Sequence, residues 1–132
     1  MLFRSVLALG AERVIDRDAD LDVEVDVVAD VVGGPRWPQL IEALRRGGRY
    51  VVSGAIGGPL VELDLRSLYL EDRVLIGATI TEPAVFAELV ELIEAGAIRP
   101  AVAATYPLAA IHDAQRAFMD KRFVGKIVLD VA

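Results

Sequence analysis

Residues 47–58 read GGRYVVSGAIGG: two glycines, a short apolar run, then three more glycines where that run stops. A buried strand that opens into so much bare backbone at one end needs a reason. The choices are a tight turn, close packing of backbone on backbone, or a molecule lying against the chain. Just upstream, WPQLIEALRR at 37–46 places Trp37, Leu40, Ile41 and Leu44 at i, i+3, i+4 and i+7. That spacing predicts one apolar helical face, with Arg45 and Arg46 in the last turn and Gly47 closing it. RYVVSG at 49–54 then reads as a strand.

Working outward, VEVDVVADVV at 23–32 is a nearly unbroken valine run ending at Gly33-Gly34. β-Branched runs with little alternation mark strands covered on both faces, as in parallel sheets. RVID at 13–16 reads as a short strand, and LFRSVLALGAE at 2–12 as the tail of a helix stopped by Gly10. Downstream, a short helical turn is expected around Leu65–Tyr69 and a strand at VLIGATIT, 74–81. Pro83 opens a helix to about Glu94, with Phe86, Leu89, Val90 and Ile93 on one face and Gly96 as its stop. VAATYPL is extended, Pro107 opens a further helix, and KIVLDV is a terminal strand. This alternation predicts an α/β fold, a mostly parallel sheet with flanking helices.

At 132 residues the chain has the length of one domain and can bury roughly two thirds of its unfolded surface. A 55% hydrophobic content and a mean hydropathy of +0.46 are high for a small domain and point to apolar surface that expects a partner. No run approaches the roughly 18 uncharged apolar residues of a membrane span, and the N-terminus lacks a signal-peptide pattern. A cytoplasmic location follows by default. The formal charge of −6, with scattered Lys and Arg, argues against a nucleic-acid partner. The absence of cysteine and a single histidine, His112, argue against a zinc site built from this chain alone.

Right-handed crossovers place the strand C-termini along one edge, and three of those ends carry glycine: Gly33-Gly34, Gly54 with Gly57-Gly58, and Gly77. Ligands of open α/β sheets bind at that edge. Each glycine also has a plainer reading, as a turn or as close strand packing.

The succession ALGAERVID, VDVVADVVGG, LRRGGRYVVSGAIGG, VLIGATIT, then TYPL with FVGKIVL, resembles the medium-chain dehydrogenase/reductase superfamily, in particular its quinone oxidoreductase-like and zinc-type alcohol dehydrogenase members. The resemblance runs from about Leu7 to Leu129. It implies residues 1–100 as a partial NAD(P)-binding Rossmann domain lacking its first βαβ unit, and 101–132 as a segment and strand returning to the family's catalytic domain. No G-x-G-x-x-G occurs, so the pyrophosphate-binding turn lies outside this sequence. MLFRS fits the family poorly, as if a reading frame restarted inside a helix.

Carried over position by position, the resemblance implies Gly34 beside the cofactor ribose. It places Val51, Val52, Ser53 and Gly54 on the nicotinamide side, and the backbone of Ile76, Gly77 and Ala78 at the nicotinamide amide. Lys126, in FVGK, is a looser match. The implied cofactor is NAD(P), with NADP(H) favoured, and zinc belongs to a full-length protein rather than to this chain. The implied reaction is hydride transfer to or from a small-molecule quinone, enone, carbonyl or alcohol, with homodimerisation through the strand 74–81. No residue here takes a catalytic role, and the isolated chain is expected to be inactive. A non-catalytic dimerisation module is the alternative, and half of a Rossmann-like methyltransferase a remoter one.

Other residues carry plainer readings. Ser53 has no base placed beside it by sequence, and no G-x-S-x-G occurs. His112 is offset from the apolar face of its helix and reads as a surface residue. Asp26 and Asp30 share a strand face; they read as making sheet-edge or helix-N-terminus contacts, with a carboxylate pair of raised pKa as the alternative. Trp37 reads as a core or interface anchor.

Overall fold

The computed structural model describes residues 6–131. They form two compact units, one of residues 15–81 and one of residues 82–131 with residues 6–14.

In the first unit β1 (Val25–Asp30), α1 (Trp37–Glu42), β2 (Leu44–Val52), α2 (Leu65–Tyr69) and β3 (Val74–Gly77) follow one another. The three strands make a parallel sheet in the order β1-β2-β3. Asp64 caps α2, its carboxylate accepting from the Arg66 N–H at 2.9 Å. Trp37, Ile41, Leu44 and Tyr50 form the core, with Val28, Leu40, Val52, Leu63 and Leu75 packed against it. Trp37 meets Tyr50 edge-on, ring centroids 5.9 Å apart.

Here the structure departs from the periodicity. The helix expected over 37–46 ends at Glu42, and Leu44 already belongs to β2. Val25 pairs with Leu44 but Val27 pairs with Arg49, so residues 45–48 bulge out opposite Asp26. Arg45 and Arg46 therefore do not cap a helix. Arg45 reaches Asp26 at 3.1 Å and Glu24 at 3.4 Å, while Arg46 reaches Asp72 at 2.8 Å. The regular ladder over Arg49–Val52 agrees with the strand expected there. Residues 13–16, expected as a strand, carry no ladder pairing, because β1 pairs only with β2.

The valine run also promised burial on both faces, and the sheet has it on one. Val28, Asp30, Tyr50, Val52 and Leu75 alternate toward α1 and the core. Val27, Val74 and Ile76, on the other parity, are exposed.

The second unit holds α3 (Pro83–Glu94), β4 (Val102–Pro107), a 3₁₀ turn (Leu108–Ala110), α4 (Ile111–Asp120) and β5 (Lys126–Asp130). β4 and β5 pair in parallel. The helix α3 keeps the bounds expected from Pro83 and Gly96. Its end is a Schellman turn, with Ala97 N–H donating to Leu92 O at 2.9 Å and Gly96 N–H to Ile93 O at 3.0 Å. The same arrangement closes the first helix at Gly10. The start of that helix, expected over 2–12, lies partly outside the described residues.

Candidate functional site

The C-terminal ends of β1, β2 and β3 converge on one edge of the first unit. Register fixes this: Ala29, Val51 and Ile76 lie side by side, then Asp30, Val52 and Gly77. Ladder bonding carries one step beyond the strands, Ser53 N–H donating to Asp30 O at 3.0 Å and Ala78 N–H to Val52 O at 2.9 Å. Val51 and Val52 thus stand beside Ile76, Gly77 and Ala78, with Ser53 next in line and bonded to β1, whereas Gly54 lies against Val31.

Most of the glycines at this edge turn out to serve backbone packing. Gly34 adopts φ +81°, and a Cβ there would lie 2.5 Å from Gly57 O. Gly33 bridges Gly58, Gly34 N–H donates to Gly58 O at 3.0 Å, and Gly57 N–H donates to Val32 O at 2.7 Å. Two turns are zipped together main chain to main chain, and Gly34 is buried beneath them. Gly54 likewise has Val31 O 2.6 Å from where its Cβ would stand. Gly77 differs. Nothing lies within 4 Å of its virtual Cβ, and its residue is exposed. Because Ala78 N–H is spent on Val52, alternation turns the N–H and C=O of Gly77 to the free side of β3.

Asp30 was not legible as the organiser of this edge. It is 6% exposed and takes three hydrogen bonds: from Tyr50 Oη at 2.7 Å, Val32 N–H at 2.8 Å and Gly33 N–H at 3.0 Å. Burial pushes its pKa up, but the Tyr50 hydroxyl and the two amides outweigh that and hold the carboxyl below its ordinary value. Burial, donation to Asp30 and the negative charge of Asp30 push Tyr50 up to about 12. The carboxylate pair weighed for Asp26 and Asp30 does not form, since Asp26 is exposed and bound to Arg45. The available signal was an acid closing a valine run with a tyrosine at the same parity on the next strand.

In the second unit His112 is exposed, as expected for a surface histidine. Ile111, Ala114, Phe118, Ile127 and Leu129 line an apolar groove between α4 and β5. Lys126 opens β5. Among the described residues no three His, Cys, Asp or Glu side chains stand together to hold a metal ion, so those residues do not fit zinc. A dinucleotide fits in part. The open backbone at Gly77 can admit a flat ring, whereas no glycine fingerprint is present for the phosphates. No helix among the described residues is long and apolar enough to cross a membrane.

The family model described as zinc-binding dehydrogenase matches residues 9–129. The chain belongs to that family. Zinc-binding dehydrogenases are oxidoreductases of the medium-chain kind, and solved structures agree. A protein assigned as an alcohol dehydrogenase of Sinorhizobium meliloti 1021 shares 44% identity over 97% of this chain and 39% of its own, with a TM-score of 0.82. A thermostable alcohol dehydrogenase from Pyrobaculum aerophilum, solved with cobalt and zinc, shares 38% identity over 98% of this chain and 40% of its own, TM-score 0.80. The 2-octenoyl-CoA carboxylase reductase CinF, in complex with NADP and 2-octenoyl-CoA, shares 31% over 80% of this chain and 24% of its own, TM-score 0.71. The chain thus spans well under half the length of these relatives. Among curated proteins none matches.

Proposed function

We propose that this zinc-binding dehydrogenase chain is the C-terminal portion of an NAD(P)-dependent oxidoreductase, supplying the nicotinamide side of the cofactor site. One observation carries the reading: three parallel strand tips meet at one edge, with Val52 beside an unobstructed Gly77. Residues 51–54 and 76–78 would orient the nicotinamide through main-chain groups, and Gly34 would lie toward the ribose. The cofactor, when bound, supplies the hydride exchanged with a quinone, enone, carbonyl or alcohol. NADP(H) is the favoured form, zinc belongs to residues outside this sequence, and the cell compartment is the cytoplasm. The division into a partial Rossmann domain, 1–100, and a returning segment, 101–132, belongs to the same reading.

Without a phosphate-binding turn the isolated chain binds dinucleotide weakly and does not turn over. Trp37 is the only tryptophan, so energy transfer from it to reduced nicotinamide reports binding directly. Saturable transfer with NADPH, tighter than with NADH and without oxidation by an added quinone, is the expected outcome. Absence of saturation with either nucleotide would overturn the reading.

A second reading is a non-catalytic module that dimerises through residues 74–81, of which the structure forms only Val74–Gly77 as strand, shorter than the strand expected there. Its support is the exposure of Val74, Ile76 and Ile80 along that segment. A dimer by light scattering that is lost in Ile76→Lys, with no nucleotide affinity, would favour it.

A further inference from the structure

The carboxylate of Asp30 is the one buried acid among the described residues, and the proposed function leaves it without a task. Replacing it with an apolar residue would avoid the cost of burying a charge, so its three partners deserve a reason. They come from three places: Tyr50 on β2, Val32 in the turn after β1, and Gly33 one step on. Tyr50 packs edge-on against the ring of Trp37, and the backbone N–H of Trp37 donates to Gly34 O at 3.0 Å. Oδ2 is therefore anchored in the core while Oδ1 gathers the turn. That turn in turn bonds the 57–58 segment, through Gly34 N–H to Gly58 O and Gly57 N–H to Val32 O.

We infer that Asp30, anchored by Tyr50, is a positioning residue for the nucleotide edge: it sets the Val31–Gly34 turn and, through it, the Gly57-Gly58 turn. The inference rests on the dinucleotide reading, but its first half can be tested without a ligand. Asp30 touches no reacting atom. It acts through main-chain geometry, which a carboxylate with two acceptor atoms at fixed positions specifies and an apolar side chain does not.

The test uses the 132-residue chain and three variants, Tyr50→Phe, Asp30→Asn and Asp30→Ala, each followed by residue-resolved amide exchange and NADPH titration. Tyr50→Phe removes the anchor and should speed exchange at Gly34 and Gly57 about tenfold or more, leaving Ala78 on the β2–β3 side unchanged. Asn keeps one oxygen for the turn amides and an amide for Tyr50 Oη, so it should restore most of what Ala loses. NADPH dissociation constants should rise in the same order, by about tenfold in Tyr50→Phe. If Asp30→Ala fails to fold, Tyr50→Phe and Asp30→Asn still carry the comparison. Exchange that rises equally at Gly34, Gly57 and Ala78 would show a merely structural role and overturn the inference. Local loosening with an unchanged NADPH constant would overturn the link to the ligand while leaving the dinucleotide reading intact. No NADPH binding by the unaltered chain would overturn both that reading and the link.

Discussion

Residues 15–81 and residues 82–131 are built from the same materials, parallel strands and amphipathic helices, yet they treat apolar surface in opposite ways. In the first, α1 lies on the sheet and encloses Trp37, Ile41, Leu44 and Tyr50. In the second, Ala114 is the only buried hydrophobic residue among those described, and α3 shows Phe86, Leu89, Val90 and Ile93 to solvent. Apolar periodicity therefore says which face wants cover, and only packing says whether it gets it. One region holds its own core and the other presents surface. This chain spans about 40% of the two alcohol dehydrogenases it resembles.

The comparison breaks most sharply at Trp37. Trp37→Ala should cost about 3–5 kcal/mol, read as a lost or strongly shifted urea transition. A small shift would mean that the core of residues 15–81 does not dominate stability.

Alkaline pH tests the same core through Tyr50. Its pKa is raised from about 10 to about 12, so the folded state holds the proton longer than the unfolded one. That stability is fully present below pH 10 and is lost as pH rises toward 12, on the order of 2 kcal/mol. Tyr50→Phe should flatten the decline over that window in pH-dependent denaturation. Asp30 works at the other end: its carboxyl is held low, so its contribution is present above the ordinary carboxylate range and lost as pH falls through its lowered value.

Two glycines at the strand-tip edge sharpen the contrast within the first region. Gly34→Ala meets Gly57 O from a left-handed backbone and should destabilise by about 1–2 kcal/mol or more. Gly77→Ala meets nothing within 4 Å and should change stability by about 0.5 kcal/mol or less, yet weaken NADPH binding. Equal effects on stability would erase the distinction between packing glycines and the open one. The smallest effect belongs to the uncovered region: Phe86→Ser should move the denaturation midpoint of this chain by less than the equivalent of about 0.5 kcal/mol.

The sequence disclosed elements whose signals are local. Pro83 and Gly96 bracket α3 because a helix start and stop depend on a few adjacent residues. The end of α1 was misread because Leu44 continues the helical spacing while already sitting in a strand that feeds the same core. Residues 45–48 bulge from the β1–β2 ladder, and Arg45 and Arg46 there pair with Glu24, Asp26 and Asp72, contacts distant in sequence and invisible to any periodicity. The candidate edge was legible as a row of strand tips, and register brings those residues together. What the glycines do was not legible, since Gly34 against Gly57 is a contact between two turns. The Asp30–Tyr50 bond escaped for the same reason, being a pairing across strands that identity alone does not announce.

The most direct test of the proposed nucleotide site is an amide chemical-shift map of the chain titrated with NADPH. The account predicts saturable shifts at Ser53, Gly54, Gly77 and Ala78, with residues 111–129 unmoved. No shifts at those strand tips, or shifts confined to the α4–β5 groove, would contradict it.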